Sequence, residues 1–280
     1  MGNSAVMTST TGDVSRAARR ASDSRAFEVL ARLGLGARAF IYVVMGLLAA
    51  AVAAGRSRQE TDQRGALNAV ADQSGGKVLL VALCVGFAGY ALWRLSEAAF
   101  GVAGQPGKKG PRVQSLVRGV AYALFTVTAV SILAGSGRNK SQAQQQRTLS
   151  GRLLQHSGGR LLLAVVGVVI VVVGLAMVVE GVTRKFTRYL RLQDMTHRTR
   201  AAVEKLGMVG TAARGLIFAL AGGLVVDAAA RANASKATGL DGALRTLAQQ
   251  AYGTVLLALA AGGLVVFGLY GFAEARWHKT

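Results

Sequence analysis

A run without a single charged residue, LLLAVVGVVIVVVGLAMVV at 161–179, is the feature that most restricts what this chain can fold into. Residues 78–93 and 254–273 are equally free of charged side chains. A helix rises about 1.5 Å per residue, so roughly 20 apolar residues cross the hydrocarbon core of a bilayer. A soluble bundle would need amphipathic helices to cover such runs, and few remain. The runs therefore predict membrane-spanning helices.

Six apolar runs are long enough to be candidate spans, and they occur in pairs along the chain. They lie at about residues 36–54, 77–98, 117–134, 160–181, 212–230 and 254–275. We predict an all-α integral membrane bundle of six transmembrane helices.

Three features of these pairs recur in register. Each second helix begins after a glycine, and a glutamate lies 21 positions beyond that glycine: Gly76 and Glu97, Gly159 and Glu180, Gly253 and Glu274. Each first helix carries an arginine, and an aromatic ring follows one turn later: Arg38 and Tyr42, Arg118 and Tyr122, Arg214 and Phe218. Such coincidence indicates internal repetition. The chain is predicted to hold three tandem two-helix repeats in a pseudo-threefold arrangement.

The repeats and the polar stretches between them define predicted boundaries. These are a disordered basic cytoplasmic tail at 1–30, repeat 1 at 31–104, repeat 2 at 105–182, a basic amphipathic linker at 183–205 and repeat 3 at 206–280. Gly-Ala-Leu stretches at 65–76 and 242–253 predict a short amphipathic helix between the two spans of a repeat. The linker spaces Phe186, Tyr189 and Leu190 among basic residues, which is typical of a helix on an anionic leaflet or of a solvated basic linker.

The net charge of +20 points to a membrane partner. Lysine and arginine concentrate on the face that holds both termini, so this face is predicted to be cytoplasmic, in the bacterial plasma membrane. Its basic loops are expected to attract anionic lipid headgroups. No nucleic-acid-binding signature is present, so nucleic acid is not an expected partner.

The recurrent charges are predicted to form an interfacial charge ring. Its members are Arg38, Arg118, Arg214, Glu97, Glu180 and Glu274. Each arginine lies at the N-terminal end of its helix and each glutamate at a C-terminal end, where the helix dipole opposes both unless they face each other. Pairing within a repeat or between repeats, independent snorkelling anchors, and a ligand or proton site remain open. Asp227 is a further candidate because it is an acidic residue in the fifth span, and Tyr42, Tyr122 and Phe218 accompany the ring.

Catalytic and metal-binding patterns are missing from the sequence. His156, His197 and His278 have no metal-ligand spacing, and no nucleophilic triad or phosphate loop can be nominated. The chain is therefore predicted not to be an enzyme and to need no metal or cofactor. Glycine stripes, such as Gly167, Gly174 and Gly181, predict close helix packing or a surface for another membrane protein.

The residues that recur in the repeats resemble domain-of-unknown-function family 1206. The resemblance is carried by the Arg-aromatic helix start, the Gly-Ala-Leu stretch, the Gly-Tyr-Ala-Leu-Trp-Arg run at 89–94 and the glutamate that ends each second helix. It covers about residues 30–277. Repeat 2 departs from it, with Val173 and Ala176 in place of tyrosine and tryptophan. The resemblance implies an actinobacterial type of membrane protein with three two-helix units, and no activity.

The spans are rich in small residues and poor in ionisable ones. This favours a non-enzymatic scaffold or assembly partner for other membrane components. The alternative is a transporter or channel for protons, ions or a small lipophilic solute, gated by the charge ring. A transporter predicts a central cavity lined by all three repeats, whereas a scaffold predicts a filled centre and an exposed stripe of small residues.

Overall fold

The computed structural model describes residues 25–57, 59–101, 109–135, 142–156, 158–233 and 239–278. Within these ranges the chain forms nine α-helices and no strand. They are α1 Arg25–Ala53, α2 Gln63–Ala71, α3 Gly76–Phe100, α4 Lys109–Leu133, α5 Gln142–Leu154, α6 Gly159–Val182, α7 His197–Ala230, α8 Gly239–Ala248 and α9 Gly253–Trp277. Residues 1–24 of the predicted tail lie outside the described residues, and the remainder of it belongs to α1.

Six of these helices, α1, α3, α4, α6, α7 and α9, are long and apolar enough to cross a membrane. Each repeat contributes a long helix, a short helix and a second long helix. The predicted all-α class, the six spans and the three two-helix repeats are thereby confirmed. We call the side where α1 begins and α9 ends the terminal face, and the side of the short helices the hairpin face.

The first helix of each repeat begins well before its apolar run, at Arg25, Lys109 and His197. The expected starts were near residues 36, 117 and 212, because hydropathy marks only the part that lies in hydrocarbon. A helix continues beyond it wherever backbone hydrogen bonding and a cap allow. At α7 the side chain of Thr196 supplies the cap by accepting a hydrogen bond from the backbone N–H of Thr199.

The linker between α6 and α7 is docked on the bundle, so neither a surface helix nor a solvated linker describes it. It forms two 3₁₀ turns, Lys185–Tyr189 and Leu192–Asp194. Phe186 and Leu190 are buried, and the ring of Phe186 lies 5.1 Å from that of Tyr270. Gly207 makes room for this ring, since an added Cβ would clash with it. The apolar spacing within the linker thus serves the protein core and not the lipid surface.

The long helices are arranged in the order α4, α3, α1, α9, α7, α6, with extensive contact between each neighbouring pair. The pairs α3–α4, α6–α7 and α9–α1 join different repeats, and these are the most extensive contacts. The pairs α1–α3 and α7–α9 lie within repeats 1 and 3. In contrast, α4 and α6 of repeat 2 hardly touch. The threefold arrangement is therefore open between α4 and α6, because the two long helices of repeat 2 do not pack against each other.

Glycines allow α6 to pack closely on α7. An added Cβ at Gly167, Gly174 or Gly181 would press on the α7 backbone or on Val226, and Gly215 and Gly222 approach α6 from the other side. In lipid, such close backbone approach supplies the packing that a hydrophobic driving force cannot. The glycines of this predicted stripe are therefore buried at a helix contact within the protein.

The remaining surface of α6 is aliphatic and exposed. Its exposed residues run from Leu161 and Leu162 to Val179 and Val182. The main cluster of buried side chains draws on α1, α3, α4, α7 and α9 but not on α6. The core of the bundle is therefore built by five long helices, with α6 attached to its flank.

Candidate functional site

Two of the three recurrent arginines share an aromatic partner near the terminal face, and the third interacts electrostatically with the carboxylate that pairs with one of them. The guanidinium carbons of Arg38 on α1 and Arg214 on α7 lie 5.6 and 4.7 Å from the centre of the Phe267 ring on α9. Arg118 on α4 lies within electrostatic range of Glu274 on α9. We call Arg38, Arg118, Arg214 and Glu274 the arginine cluster.

One ion pair within this cluster joins the first repeat to the last. Nη2 of Arg38 donates to Oε2 of Glu274 at 2.5 Å, and the two side chains are 11% and 13% exposed. The pair therefore links α1 to α9, which pack extensively against each other. Removing one partner of such a shielded pair strands a charge where water cannot solvate it.

Glu97 lies at the corresponding contact between α3 and α4 but bonds other residues. Its Oε2 accepts from Nη1 of Arg94 at 2.8 Å and from the hydroxyl of Ser115 at 2.9 Å. Arg94 also donates from Nε to the hydroxyl of Tyr90 and lies over the ring of Trp93. Glu97 thus faces the next repeat without pairing with its arginine.

Glu180 is the most exposed of the three glutamates. It lies 4.0 Å from Nη2 of Arg188 on the linker, and both side chains reach solvent. Of the six residues in the predicted ring, Arg38 pairs with Glu274 and shares the Phe267 ring with Arg214, whereas Glu97 and Glu180 form separate contacts.

Arg214 is held by aromatic faces and by no carboxylate among the described residues. Its guanidinium carbon lies 4.7 to 5.0 Å from the ring centres of Phe267, Tyr42 and Phe218. Its Nε is buried without a hydrogen-bond partner, as is Nε of Arg38. Cation–π contact offsets part of the cost of burying a cation, but a ring offers no lone pair to an N–H donor.

The aromatic residues that follow the arginines fill the centre of the bundle. Tyr42 packs edge-on against Phe267 at 4.8 Å, and Tyr122 packs against Tyr90 at 4.4 Å. Phe218 lies under Arg214. Edge-to-face packing of this kind adds to the energy of area burial. These aromatic rings come from five helices and belong to one cluster of buried and partly buried side chains.

Several members of this layer were missed when the charge ring was predicted. They are Tyr90, Trp93 and Arg94 on α3, and Phe267 and Tyr270 on α9. The signal was available in part, since the Gly-Tyr-Ala-Leu-Trp-Arg run places Arg94 three residues before Glu97, on the same helix face.

In repeats 1 and 3 the two long helices cross at small residues. Gly34 of α1 lies against Tyr90 of α3, and Gly86 of α3 lies against Ala37 of α1, so that an added Cβ at either glycine would clash. The same contacts recur in repeat 3 as the pairs Gly210–Phe267 and Gly263–Ala213. Small residues at a crossing let helix backbones approach closely.

In repeat 2 the equivalent positions, counted from Arg118 and Glu180, hold larger side chains. They are Gln114 and Val117 on α4, and Val169 and Val173 on α6. All four are exposed. Without small residues the backbones cannot approach, which explains why α4 and α6 remain apart. We call this open interface, with these four positions, the seam.

The hairpin face carries a second polar link between repeats 1 and 3. The backbone N–H and hydroxyl of Thr61 donate to Oδ1 of Asp241 on α8, at 2.9 and 3.1 Å. Nε of Arg245 donates to the other carboxylate oxygen at 2.7 Å. Asp241 is buried, so these bonds satisfy a carboxylate that would otherwise be costly to bury.

Asp62 lies beside this link and caps α2. It accepts a hydrogen bond from the backbone N–H of Gly65 at 2.9 Å. Burial, together with the smaller effect of the nearby charges of Glu60 and Asp241, raises the pKa of Asp62 to about 7, although the bond from Gly65 opposes the shift. Asp62 therefore titrates near neutral pH.

Asp227 lies near the hairpin end of α7 and belongs to neither polar layer. It accepts a hydrogen bond from Nε of Arg231 at 2.6 Å, and its side chain is partly exposed.

On the terminal face, an open cleft of about 500 Å³ is lined by linker residues that include Arg184, Lys185 and Arg188. No group of three potential metal ligands occurs in the part of the chain that the structure describes.

Taken with the six spans, this architecture defines a multi-pass α-helical membrane protein built from three tandem two-helix repeats. The family profile described as Domain of Unknown Function (DUF1206) matches the chain three times, at residues 33–101, 113–184 and 209–278, and the chain belongs to this family. "Uncharacterized protein YxxB" of Bacillus subtilis (strain 168) is 27% identical over 253 residues, which cover 89% of this chain and 90% of the relative. No solved structure matches the chain.

Proposed function

We propose that this protein is a non-enzymatic scaffold that assembles with another membrane component at the seam. The observation that carries the proposal is that repeat 2 leaves open a helix interface that repeats 1 and 3 close. The sequence differs at the four positions that decide this, and every one of them is exposed. The open interface thus follows from the side chains of repeat 2.

The occupant that fits the seam best is an apolar transmembrane helix of a partner protein. The aliphatic surfaces of α4 and α6 would meet its side chains, and small residues on the partner would compensate for the valines of the seam. Gln114 adds an exposed amide near the terminal face, which can hydrogen-bond across helices in lipid.

The filled aromatic layer favours assembly over transport. Tyr42, Tyr90 and Phe267 are buried in the main cluster of side chains, to which all three repeats contribute. A hydrophilic solute would need polar groups through the middle of the membrane. The alternative of a transporter or channel for protons, ions or a small lipophilic solute would require this layer to open.

The proposed orientation places the terminal face in the cytoplasm and the protein in the bacterial plasma membrane. Support comes from the basic residues of that face, such as Arg184, Lys185 and Arg188. The same residues would face anionic lipid headgroups.

Photo-crosslinking in native membranes tests the scaffold. A benzoylphenylalanine at Leu124 on α4 or Val172 on α6 should capture a partner protein, because both are exposed on the helices that border the seam. The same residue at Leu259 on α9, which is also exposed to lipid, should not. Capture of the same protein from all three positions would contradict a seam-specific partner.

A variant that closes the seam makes this test sharper. It carries the side chains of repeats 1 and 3 at the four positions: Gln114→Gly, Val117→Ala, Val169→Gly and Val173→Phe. We expect the crosslink from Leu124 to become intramolecular. A control with Val78→Ala and Val255→Ala, at exposed positions elsewhere, should keep the partner. An unchanged partner crosslink in the seam-closing variant would overturn the proposal.

Flux measurements in proteoliposomes test the transport alternative. Under an imposed potential and pH gradient we expect no flux of protons or monovalent cations from the wild type. The matched variant carries Glu97→Gln, Glu180→Gln and Glu274→Gln. Flux in the wild type that vanishes in this folded variant would replace the scaffold with a gated pathway.

A further inference from the structure

The arginine cluster carries more positive charge than its own residues neutralise. Arg38 is paired with Glu274, but Arg118 and Arg214 have no carboxylate within ion-pair distance among the described residues. Arginine cannot escape the cost of burial by losing its proton. The cluster therefore holds three cations and one carboxylate at one end of an apolar bundle, where charge is expensive.

Hydrogen bonding in the cluster is incomplete in the same place. Buried Nε atoms of Arg38 and Arg214 have no acceptor. The guanidinium carbons of both arginines lie within 5.6 Å of the centre of the Phe267 ring. Buried donors are normally satisfied, so these Nε atoms call for an acceptor from outside the protein chain, such as a water or an anion.

We propose that the arginine cluster binds a phosphate-type oxyanion. Several guanidinium groups that converge on one point match a tetrahedral anion, because each presents parallel N–H donors to two oxygens. A bound oxyanion would add the negative charge that Glu274 alone does not supply to the three arginines, and it would offer acceptors to the buried Nε atoms. The site uses none of the four seam side chains as a ligand, and binding to the purified protein tests it without a partner helix in the seam.

The depth of the cluster indicates a phospholipid as the source of the oxyanion. The arginines lie toward the terminal end of their spans, where headgroups are found. Val117, next to Arg118 on α4, is exposed on the lipid-facing surface. A lipid phosphate could therefore reach Arg118 from the bilayer while its acyl chains remain beside α4.

Binding to the purified, full-length protein in a nonionic detergent tests the site. The probes are phosphatidylglycerol in mixed micelles and, separately, sodium phosphate against sodium chloride of equal ionic strength. We expect Arg118→Gln and Arg214→Gln each to weaken binding by about tenfold or more, as is typical for the loss of a charge-assisted hydrogen bond. Arg231→Gln removes an exposed basic residue on the hairpin face and should leave binding unchanged.

The two probes separate the sources of the oxyanion. Arginine-dependent binding of phosphatidylglycerol that phosphate does not displace supports a lipid headgroup, and arginine-dependent binding of phosphate alone supports a free oxyanion. Two outcomes would overturn the proposal: that neither probe binds, or that the cluster variants retain binding to the same extent as Arg231→Gln. Should a glutamine variant fail to fold, Arg214→Lys keeps the charge without the planar fork and should still weaken binding.

Discussion

Repeats 1 and 3 differ from repeat 2 in how their two long helices meet, although all three share the same order of elements. In repeats 1 and 3 glycines bring the helices together, whereas Val169 and Val173 of repeat 2 stand in place of a glycine and an aromatic ring. In repeat 2 the glycines of α6 lie instead at the contact between α6 and α7. The comparison shows that small-residue placement, more than overall hydropathy, decides which helices of a membrane bundle pack together.

The largest expected effect separates the glutamates of repeats 3 and 2. Glu274→Gln removes the shielded partner of Arg38 and should lower the free energy of unfolding by about 3 kcal/mol or more, since it leaves a buried cation without an anion. Glu180→Gln breaks only an exposed contact and should cost less than about 1 kcal/mol. Thermal unfolding in detergent measures both.

A double-mutant cycle checks the origin of this difference. If the loss belongs to the ion pair, Arg38→Gln should cost much less in the Glu274→Gln background than alone. If Glu274→Gln and Glu180→Gln lowered the free energy of unfolding equally, the glutamates of repeats 3 and 2 would contribute equally to stability, which would contradict this comparison.

A smaller effect should follow from giving repeat 1 the side chain of repeat 2. Gly86→Val places a branched side chain against Ala37 and the backbone of Leu33, and should destabilise the protein by about 1 to 3 kcal/mol. Val169→Gly makes the reverse change at an exposed position of the seam and should have little effect on stability. A neutral Gly86→Val would refute the role assigned to the crossing.

The smallest expected effect concerns the pH dependence of the short helices. The folded pKa of Asp62 is about 7, whereas an unfolded aspartate titrates near about 4, so the folded state holds a proton that the unfolded chain releases. Its stabilising effect on α2 is therefore complete below about pH 4 and is lost as pH rises through about 7. Gln145 occupies the equivalent position in repeat 2 and does not titrate.

Hydrogen exchange, corrected for the intrinsic pH dependence of exchange, measures this effect. Protection of the α2 amides should fall with rising pH in the wild type and stay level in Asp62→Asn, which keeps a good helix cap. The α5 amides of repeat 2 should not respond in either protein. A response of α5 equal to that of α2 would point to a global change and not to Asp62.

The sequence predicted the spans and repeats because both depend on local patterns. Charge-free runs report burial in hydrocarbon, and the register of Gly76 with Glu97 recurs whatever the helices pack against. It left open which arginine meets which glutamate, because that depends on the order of helices around the bundle. Arg38 meets Glu274 only because α1 lies next to α9.

Two other features needed the three-dimensional structure for a related reason. Phe186 and Leu190 have the spacing of a surface helix, yet they are buried, because Gly207 provides space that no local pattern reveals. The departure of Val173 from the aromatic pattern was visible in the sequence. Its consequence for α4 and α6 became clear only from the contacts of the equivalent Tyr90 and Phe267.

The pair between Arg38 and Glu274 also has a consequence for biosynthesis. Its partners are separated by 236 residues, so at about 5 to 20 residues per second the ribosome adds Glu274 roughly 10 to 50 s after Arg38. During that interval the first helix of the nascent chain holds a charge that has no partner within the protein. Synthesis of α9 thus completes the ion pair of α1, and a nascent chain that stops before α9 holds Arg38 in the membrane without its carboxylate.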